Sequence, residues 1–246
     1  MRLLEITLPT PEENLALDEA LLDEAEANAA ERAPTNSCEW LRLWEPAEPV
    51  VVIGRSSSVA AEVNAEFCRR EGVPVLRRTS GGAAIVSGPG CLMYGVVLNL
   101  ELRPALRAID AAHAFVLGTL AAALRRHGLE AEQCGISDLA AGGLKFSGNS
   151  MRVRRSHLLY HGTLLYSFPL PLIASCLALP PRQPDYRAGR PHEAFVTNLP
   201  ISSEQLRAIV KSAWPLSGAA SELPVRRVAE LVDIKYSRPQ WNDRIR

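Results

Sequence analysis

Two repeating patterns of apolar and polar residues divide this chain into predicted helices and strands. Apolar side chains recur with a helical period over about residues 12–32 and 109–127, which predicts two long helices with one buried face each. Residues 50–53 are a continuous β-branched run, which is typical of a strand buried on both faces. Further strands are predicted at about 2–8, 40–44, 73–76, 92–100, 137–139, 144–150 and 157–166, and further helices at about 65–71, 169–177, 203–214 and 222–232.

The order of these elements indicates the fold class. Helices and strands are mixed along the chain and several neighbouring strands form hairpins, so we expect an α/β (α+β) fold with a mixed, largely antiparallel sheet covered by helices. A chain of 246 residues is long enough for one large domain. We therefore predict a single domain over 1–246, with a core over about 1–200 and a helical tail over about 201–246.

Charge and cysteine content exclude several classes of protein. Lys and Arg total 27, as do Asp and Glu, so nothing points to nucleic acid or an anionic membrane as a partner. No apolar run approaches the roughly 18 residues that span a bilayer, and the N-terminus has no signal-peptide core. The five dispersed cysteines suggest neither a disulfide framework nor a zinc site. We expect a cytoplasmic, reduced protein.

The loop after the predicted strand 73–76 carries the clearest chemical signal. It contains two arginines, two hydroxyl residues and two glycines, followed by two alanines. Glycine lets the backbone approach a ligand closely, and arginine presents a planar fork that matches carboxylate or phosphate. The loop thus suggests an anion site, although a tight turn with solvated arginines would have the same sequence. Its residues are Arg77, Arg78, Thr79, Ser80, Gly81, Gly82, Ala83 and Ala84.

Other polar groups stand at the ends of predicted strands. Arg55 follows Gly54 after the run 50–53, and a histidine stands in the strand 157–166. In a strand Lys145 and Ser147 point to the same side, and an inward lysine is costly unless an anion pairs with it. A solvated hairpin lysine is the alternative. We expect these groups to build one anionic pocket on one sheet.

Two further features are ambiguous in the sequence. Asp18 falls among the apolar positions of the first helix, which indicates either a buried hydrogen-bonding group or an edge residue in water. The basic run 152–155 is predicted to form an exposed hairpin tip that guides an acidic partner or is simply solvated.

With these motifs in place, the chain resembles the lipoate–protein ligase A family, within the biotin/lipoate ligase and octanoyltransferase superfamily. The motifs occur in the family's order over roughly residues 12–168, and their combination is specific although each alone is not. They are Asn14-Leu15-Ala16-Leu17-Asp18-Glu19, Ile53-Gly54-Arg55, Glu62-Val63-Asn64, residues 77–83, Ser137-Asp138-Leu139, Lys145-Phe146-Ser147-Gly148-Asn149-Ser150 and His161-Gly162-Thr163-Leu164-Leu165.

The resemblance implies a catalytic fold like that of class II aminoacyl-tRNA and biotin synthetases, and a two-step reaction. Lipoate or octanoate would attack the α-phosphate of ATP with Mg²⁺ present, and the acyl-adenylate would acylate a lysine of a carrier domain. Lys145 would be the catalytic residue, neutralising charge on the carboxylate and α-phosphate. The implied substrate- and ATP-binding residues are Arg55, Arg77, Arg78, Ser80, Gly81, Gly82, Ala83, Ala84, Ser147, Gly148, Asn149, His161, Gly162 and Thr163.

The chain departs from the family pattern in three places. Ala83 stands where the family usually has a third glycine, which predicts a less permissive loop. Ser87-Gly88 stand where the family usually has His-Asp. The family's small C-terminal domain would begin about where this chain stops, so the resemblance implies a form lacking that domain, with a separate accessory subunit as one way to supply it.

Three other functions remain open from the sequence. Octanoyl and lipoyl transferases of the superfamily use a cysteine thioester without ATP, and Cys134, eleven residues before Lys145, is the alternative nucleophile; an inert, partly buried thiol is the other interpretation. A biotin ligase is less favoured because its glycine- and arginine-rich loop is missing. The non-enzyme alternative is a carrier-binding homologue without catalysis.

Overall fold

The computed structural model describes residues 1–30, 39–218 and 222–245, which form two β-sheets and the helices that cover them. Alternating and continuous apolar runs produce the strands. In chain order they are β1 (Arg2–Glu5), β2 (Trp40–Trp44), β3 (Val50–Ile53), β4 (Val75–Arg77), β5 (Ile85–Ser87), β6 (Cys91–Asn99), β7 (Glu132–Cys134), β8 (Asp138–Ala141), β9 (Leu144–Val153) and β10 (His157–Leu165).

The larger sheet has seven strands in the order β1-β2-β6-β10-β9-β8-β7, and the smaller has three in the order β4-β3-β5. Of the pairs between the strands named above, β1–β2 and β3–β4 are parallel. The pairs β2–β6, β6–β10, β10–β9, β9–β8, β8–β7 and β3–β5 are antiparallel. The predicted mixed, largely antiparallel architecture is confirmed, but the expected single sheet is in fact two.

Periodic apolar positions and polar caps set the helices. Asn64 accepts a hydrogen bond from the Phe67 amide at one helix start, and Ser202 forms a capping box with Gln205 at another. The α-helices are α1 (Pro11–Ala30), α2 (Val59–Glu62), α3 (Ala65–Arg70), α4 (Ile109–Arg126), α5 (Pro171–Cys176), α6 (Ser203–Ser212), α7 (Val225–Leu231) and α8 (Pro239–Asn242). Short 3₁₀ turns cover Pro104–Arg107, Asp185–Arg187 and His192–Ala194, and a π turn covers Val232–Tyr236.

The two faces of the large sheet bury different cores, because side chains alternate along each strand. On β10, Leu158 and Tyr160 pack into the core under α4 and α6. Leu159 packs on the opposite face, in the core formed with α1 and α7. His161 and Thr163 share that second face, so the polar groups of β10 point toward the small sheet rather than toward α4.

Several element boundaries differ from the expected ones; β1, for example, ends at Glu5 rather than at about residue 8. β9 continues to Val153, so only residues 154–156 form the hairpin turn, and the Arg154 guanidinium donates to Asp23 Oδ1 at 2.9 Å. The prediction of a free basic tip at 152–155 is therefore wrong for Arg154. The predicted helix end at 31–32 lies outside the described residues. In the described part of the chain, no helix is long and apolar enough to cross a membrane.

Candidate functional site

A cavity of about 690 Å³ lies between the loop after β4, the β8–β9 hairpin and the loop after α5. Its apolar wall includes Leu15, Val52 and Met93. It adjoins a second chamber of about 100 Å³, whose apolar side chains come mainly from β10, α5 and the residues after them. The residues that line both are Ala83, Ala84, Ile85, Lys145, Gly148, Pro180, Arg187 and Phe195. The site is thus two connected chambers with cationic side chains at their junction.

Arg78 holds the glycine loop in shape. Its guanidinium donates to the carbonyl of Val52 at 2.9 Å, to the carbonyls of Gly81 and Ala83, and through Nε to Ser80 Oγ at 3.1 Å. The side chain is 7% exposed, and burial lowers the pKa of Arg78 to about 10 although Glu62 opposes this shift. Most of its donors are occupied by the protein, so Arg78 acts chiefly as the internal brace of the loop.

Gly82 and Ala83 explain how the loop tolerates its missing third glycine. Gly82 has φ +82°, a left-handed conformation that favours glycine. Among the described residues only Ala188 has positive φ without being glycine, so Ala83 lies in a region that any residue adopts. The observed backbone at position 83 therefore does not need glycine, and the prediction of a less permissive loop stays a prediction. Ser87 is fully buried and lines neither chamber, and its hydroxyl donates to Sδ of Met93, which lines the large cavity.

A buried hydrogen-bond chain connects this loop to helix α1. Ser80 Oγ lies 2.6 Å from His161 Nε2, and His161 Nδ1 lies 2.9 Å from Asp18 Oδ2. Asp18 Oδ1 accepts from Arg42 Nη1 at 2.6 Å. Because a carboxylate only accepts, Nδ1 carries the proton, and in the neutral ring Nε2 accepts from the Ser80 hydroxyl. His161 lines the large cavity in this fixed orientation.

Asp18 is ionised deep inside the protein. Burial alone would raise its pKa, but the Arg42 charge and the His161 hydrogen bond outweigh burial and hold the pKa of Asp18 below its ordinary value. Arg42 is 1% exposed and also donates to the Asn14 carbonyl and to Asn14 Oδ1. The ambiguous Asp18 of the sequence is therefore a buried structural anion that positions His161.

Lys145 stands at the junction of the chambers on the face opposite Phe146. Its Nζ lies 2.8 Å from Asp138 Oδ1, and the Tyr186 hydroxyl donates to the other oxygen of that carboxylate at 2.8 Å. Gly148 leaves the space that the lysine occupies, since a Cβ there would lie 3.0 Å from Nζ. Asp138 thus holds the ammonium group in place while part of the side chain stays accessible, at 27%.

Asn149 ties the hairpin together beside Lys145. Its Oδ1 accepts from the Tyr94 hydroxyl at 2.5 Å, and its Nδ2 donates to the Ser137 carbonyl and to Ser147 Oγ. Thr163 Oγ1 accepts from the Gly148 amide at 3.2 Å. These bonds fix the backbone of residues 147–149, which line the chambers.

The structure brings most of the predicted site residues together. Nine of them line the large cavity, and Ser147 and Thr163 line the small chamber. Ser80 lines neither, but its hydroxyl contacts His161, which lines the large cavity. The nine are Arg78, Gly82, Ala83, Ala84, Lys145, Gly148, Asn149, His161 and Gly162. Arg55, Arg77, Gly81 and Cys134 are not among the described residues that line either chamber.

Arg77 has a different place from its neighbour Arg78. It is fully buried, and its guanidinium donates to the carbonyls of Gly54 at 2.8 Å, Ser57 at 2.7 Å and Asn242 at 2.9 Å. Its Nε also donates to the Trp241 carbonyl. The structure therefore places Arg77 in a clamp that fastens helix α8 to the small sheet. The Arg55 side chain is exposed at the surface nearby.

Cys134 does not have the surroundings of a reactive thiolate. It lies partly exposed at the end of β7, and burial together with Glu132 raises the pKa of its thiol. Cys134 itself does not line the cavity, whereas the four residues after it, Gly135, Ile136, Ser137 and Asp138, do. The charged groups that shift the pKa of the Cys134 thiol are Glu132 and Asp138, and both are acidic, so neither would activate the sulfur.

The sequence analysis did not predict that the loop after α5 is part of the site. Tyr186 and Arg187 lie in the site, with Tyr186 on Asp138 and Arg187 between the chambers. No local signal distinguishes these residues from ordinary loop residues. In the described residues, no group of three or more His, Cys, Asp or Glu could hold a metal ion.

These features are those of one known family. Residues 10–208 match the model of the lipoyl protein ligase A/B catalytic domain, and the chain belongs to that family. A protein of Aeropyrum pernix assigned to lipoate–protein ligase A is 36% identical over 163 residues, covering 66% of this chain and 56% of the relative. The octanoyltransferase LipM of Symbiobacterium thermophilum is 28% identical over 272 residues, covering 96% of this chain and 95% of the relative.

Solved structures show the same fold. A structure from a study of a bi-partite lipoate protein ligase and its E2 lipoyl domain from Thermoplasma acidophilum has a TM-score of 0.80 at 20% identity, covering 100% of this chain and 97% of that one. A T. acidophilum structure with bound lipoic acid has a TM-score of 0.76 at 21% identity, with both chains fully covered. A lipoate–protein ligase A bound with ATP has a TM-score of 0.75 at 22% identity, covering 98% of each. The chain spans about half the length of the curated ligases that it matches.

Proposed function

We propose that this protein is an ATP-dependent lipoate– or octanoate–protein ligase. The observation that carries the proposal is the position of Lys145, fixed by Asp138 where the two chambers meet. One chamber would hold the acyl chain and the other the nucleotide, so that the carboxylate and the α-phosphate meet beside the ammonium group. The matched family and the neighbours with bound lipoic acid and ATP support this assignment.

Lys145 would stabilise negative charge at the reacting centre. Its ammonium group can contact an oxygen of the carboxylate or the α-phosphate, and a fixed charge in a largely enclosed site costs little reorganisation during reaction. Asp138, itself held by Tyr186, would keep the Lys145 ammonium group in place when the substrate binds. His161, held by Asp18 and Ser80, would position the acyl group rather than take a proton from the substrate, because its Nε2 lone pair is directed at the buried Ser80 hydroxyl, which lines neither chamber.

The residues fit ATP better than they fit a protein-held metal ion. The cavity of about 690 Å³ has the size of a ligand site, and Lys145 and Arg187 provide positive charge at the junction. The acidic side chains that line the chambers are Asp18, Glu62, Asp138 and Asp185. Asp18 and Asp138 are paired with cations, Glu62 accepts from the Ala84 amide, and Asp185 is an exposed carboxylate on the loop after α5 that belongs to no metal-binding group among the described residues. Mg²⁺ would therefore come with the phosphates of ATP, and no step is assigned to a metal on the protein.

The acceptor would be a lysine on a lipoyl carrier domain. The T. acidophilum study pairs a bi-partite ligase with an E2 lipoyl domain, which supports a carrier of this kind and makes an accessory subunit a reasonable addition to the assay. The exposed mouth of the cavity, with Arg182 and Gln183, is where a carrier lysine could enter.

The decisive experiment is to incubate the purified protein with octanoate or lipoate, ATP and Mg²⁺ and to look for acyl-adenylate by mass spectrometry. We expect acyl-adenylate with wild type and none above background with Lys145→Met. The matched control is Lys211→Met, because Lys211 lies on α6 and pairs with Glu5 at the surface. Absence of acyl-adenylate and of pyrophosphate exchange with wild type, alone and with a carrier domain, would refute the ligase proposal.

A second candidate is ATP-independent octanoyl transfer through Cys134. The LipM relative matches nearly the whole chain, which favours this activity, whereas the raised pKa of Cys134 does not. Octanoyl transfer from octanoyl carrier protein without ATP that is lost in Cys134→Ala would establish it. With the ligase mechanism, Cys134→Ala retains full activity. Carrier binding without either reaction would leave the non-catalytic homologue as the function.

A further inference from the structure

Arg187 is a buried cation that the protein leaves largely unpaired. The residue is 3% exposed, yet within the described residues its guanidinium makes a single hydrogen bond, from Nε to the Arg190 carbonyl at 2.9 Å. Its Nη2 is buried without a partner. The guanidinium also lies over the Phe195 ring, 4.6 Å from its centroid. An unpaired buried cation is costly, so such a group points to a ligand of opposite charge.

The position of Arg187 tells where that ligand would lie. Arg187 and Lys145 both line the large cavity and the small chamber, which places two cationic side chains at the junction. The preceding residue, Tyr186, donates to the Asp138 carboxylate that holds Lys145. The loop after α5 and the β8–β9 hairpin are therefore joined beside the junction, and Arg187 is held there by the same contacts that orient the catalytic lysine.

The local backbone supports a fixed position for Arg187. It is the last residue of the 3₁₀ turn Asp185–Arg187, and Ala188 follows with φ +50°, a conformation that costs energy in a non-glycine residue. Arg190 fastens the other side of the turn through the carbonyls of Gly143 and Tyr186. The strained turn thus presents Arg187 to the chambers.

We infer that Arg187 is a second oxyanion-binding residue of this site, contacting an oxygen of the substrate carboxylate before reaction or of the adenylate phosphate after it, opposite Lys145. This inference rests on the proposed ligase function and adds a contact on a loop outside the family motifs. Arginine suits the role because its planar fork donates two parallel hydrogen bonds to an oxyanion. Burial of the guanidinium, which lowers the pKa of Arg187, would be compensated when the anion binds.

The test measures binding rather than turnover. The probes are octanoate, AMP and adenosine 5′-(octyl phosphate), a stable diester that keeps the phosphate charge, each titrated calorimetrically into wild type and Arg187→Met. We expect the diester to bind about 10- to 100-fold more weakly to the variant, the range for loss of a charge-assisted hydrogen bond. A matching loss for AMP identifies phosphate as the contact, whereas a loss for octanoate with unchanged affinity for AMP and the diester identifies the carboxylate.

Thermal unfolding of the unliganded proteins separates this role from a structural one. Because the Arg187 guanidinium makes one hydrogen bond and its buried Nη2 has no partner, Arg187→Met is expected to keep the wild-type Tm or raise it. Arg190→Met is the comparator, and its Tm is expected to fall because that guanidinium is bound by carbonyl groups. If Arg187→Met cannot be purified, Arg187→Gln replaces it in every titration.

The outcomes are distinct. Weaker probe binding with unchanged Tm supports the inference. Unchanged probe affinity in Arg187→Met or Arg187→Gln overturns it while leaving the ligase proposal standing. A wild-type protein that binds none of the three probes refutes the proposed function and this ligand assignment with it.

Discussion

Ser80 Oγ and His161 Nε2 lie 2.6 Å apart, although the two residues are 81 positions apart in the chain. The contact joins the glycine loop of the small sheet to strand β10 of the large sheet. His161 continues to Asp18 on α1, and Ser80 accepts from Arg78. The shape of the candidate site therefore depends on one short chain of buried hydrogen bonds between elements that the sequence keeps far apart.

Ser80→Ala tests this connection. The change removes a partner from both Arg78 Nε and His161 Nε2 in a buried setting, so we expect the free energy of unfolding to fall by about 1–3 kcal/mol. Adenylate formation should fall roughly tenfold because the loop and His161 lose their relative position. Urea denaturation and pyrophosphate exchange measure the two effects. Ser175→Ala is the control, since that exposed hydroxyl donates only within α5. Wild-type stability and activity in Ser80→Ala would contradict this role.

Asp18→Asn tests the buried ion pair with Arg42. The substitution keeps the shape of the side chain but leaves Arg42 as a buried cation without its anion. We expect a loss of about 3–5 kcal/mol in the free energy of unfolding. The matched control is Asp233→Asn, whose partner Arg238 is 51% exposed and whose own side chain is 74% exposed. An Asp18→Asn protein as stable as the control would show that the pair contributes little.

The same pair predicts how stability depends on pH. The pKa of Asp18 is lowered from its ordinary value of 3.8, so folding favours the ionised form. Its contribution is fully present above that ordinary value and is lost as the pH falls through the lower folded pKa. The stability difference between wild type and Asp18→Asn should thus be constant near neutral pH and shrink below about pH 4. Denaturation curves from pH 7 to pH 3 measure it; a difference that widens on acidification would be evidence against the assignment.

Local pattern was enough to predict most elements, because periodicity is a local property. The strands 40–44 and 50–53 were predicted with their observed bounds, and the α4 helix was within one residue. The pattern did not show that β3, β4 and β5 form a separate sheet, since sheet membership depends on which distant strands pair. Site residues that lie on strands, such as Lys145 and His161, were predicted from their motifs, and both line the large cavity.

The site was harder to predict in the loops. Arg77 and Arg78 are adjacent and chemically identical, yet one clamps α8 and the other braces the glycine loop. The direction of each guanidinium is set by carbonyl groups from distant segments, which no local rule encodes. Arg187 reaches the site from a loop that is held by contacts distant in sequence, such as that of Tyr186 with Asp138, 48 residues earlier in the chain.

Arg77→Lys tests whether Arg77 is a clamp rather than an ATP ligand. Lysine keeps the charge but cannot donate to the separate carbonyl groups of the turn after β3 and of α8. We expect the free energy of unfolding to fall by about 3 kcal/mol and residues 236–245 to become more sensitive to protease. The KM for ATP of the folded protein should not change. Arg126→Lys, exposed near the end of α4, is the control. A raised KM for ATP without loss of stability would indicate instead that Arg77 binds ATP.

Gly148→Ala separates the position of Lys145 from the stability of the fold. The added Cβ would lie 3.0 Å from Lys145 Nζ and 3.1 Å from its Cε, so the flexible lysine must shift away from Asp138. We expect the Tm to remain within about 2 °C, because the displaced group is the mobile end of a side chain, and adenylate formation to fall at least tenfold, or about 1.4 kcal/mol. Gly118→Ala is the matched control: a Cβ there meets nothing within 4 Å, and α4 should be slightly stabilised. Wild-type activity in Gly148→Ala would mean that Lys145 need not stay at the junction for the chemistry to occur.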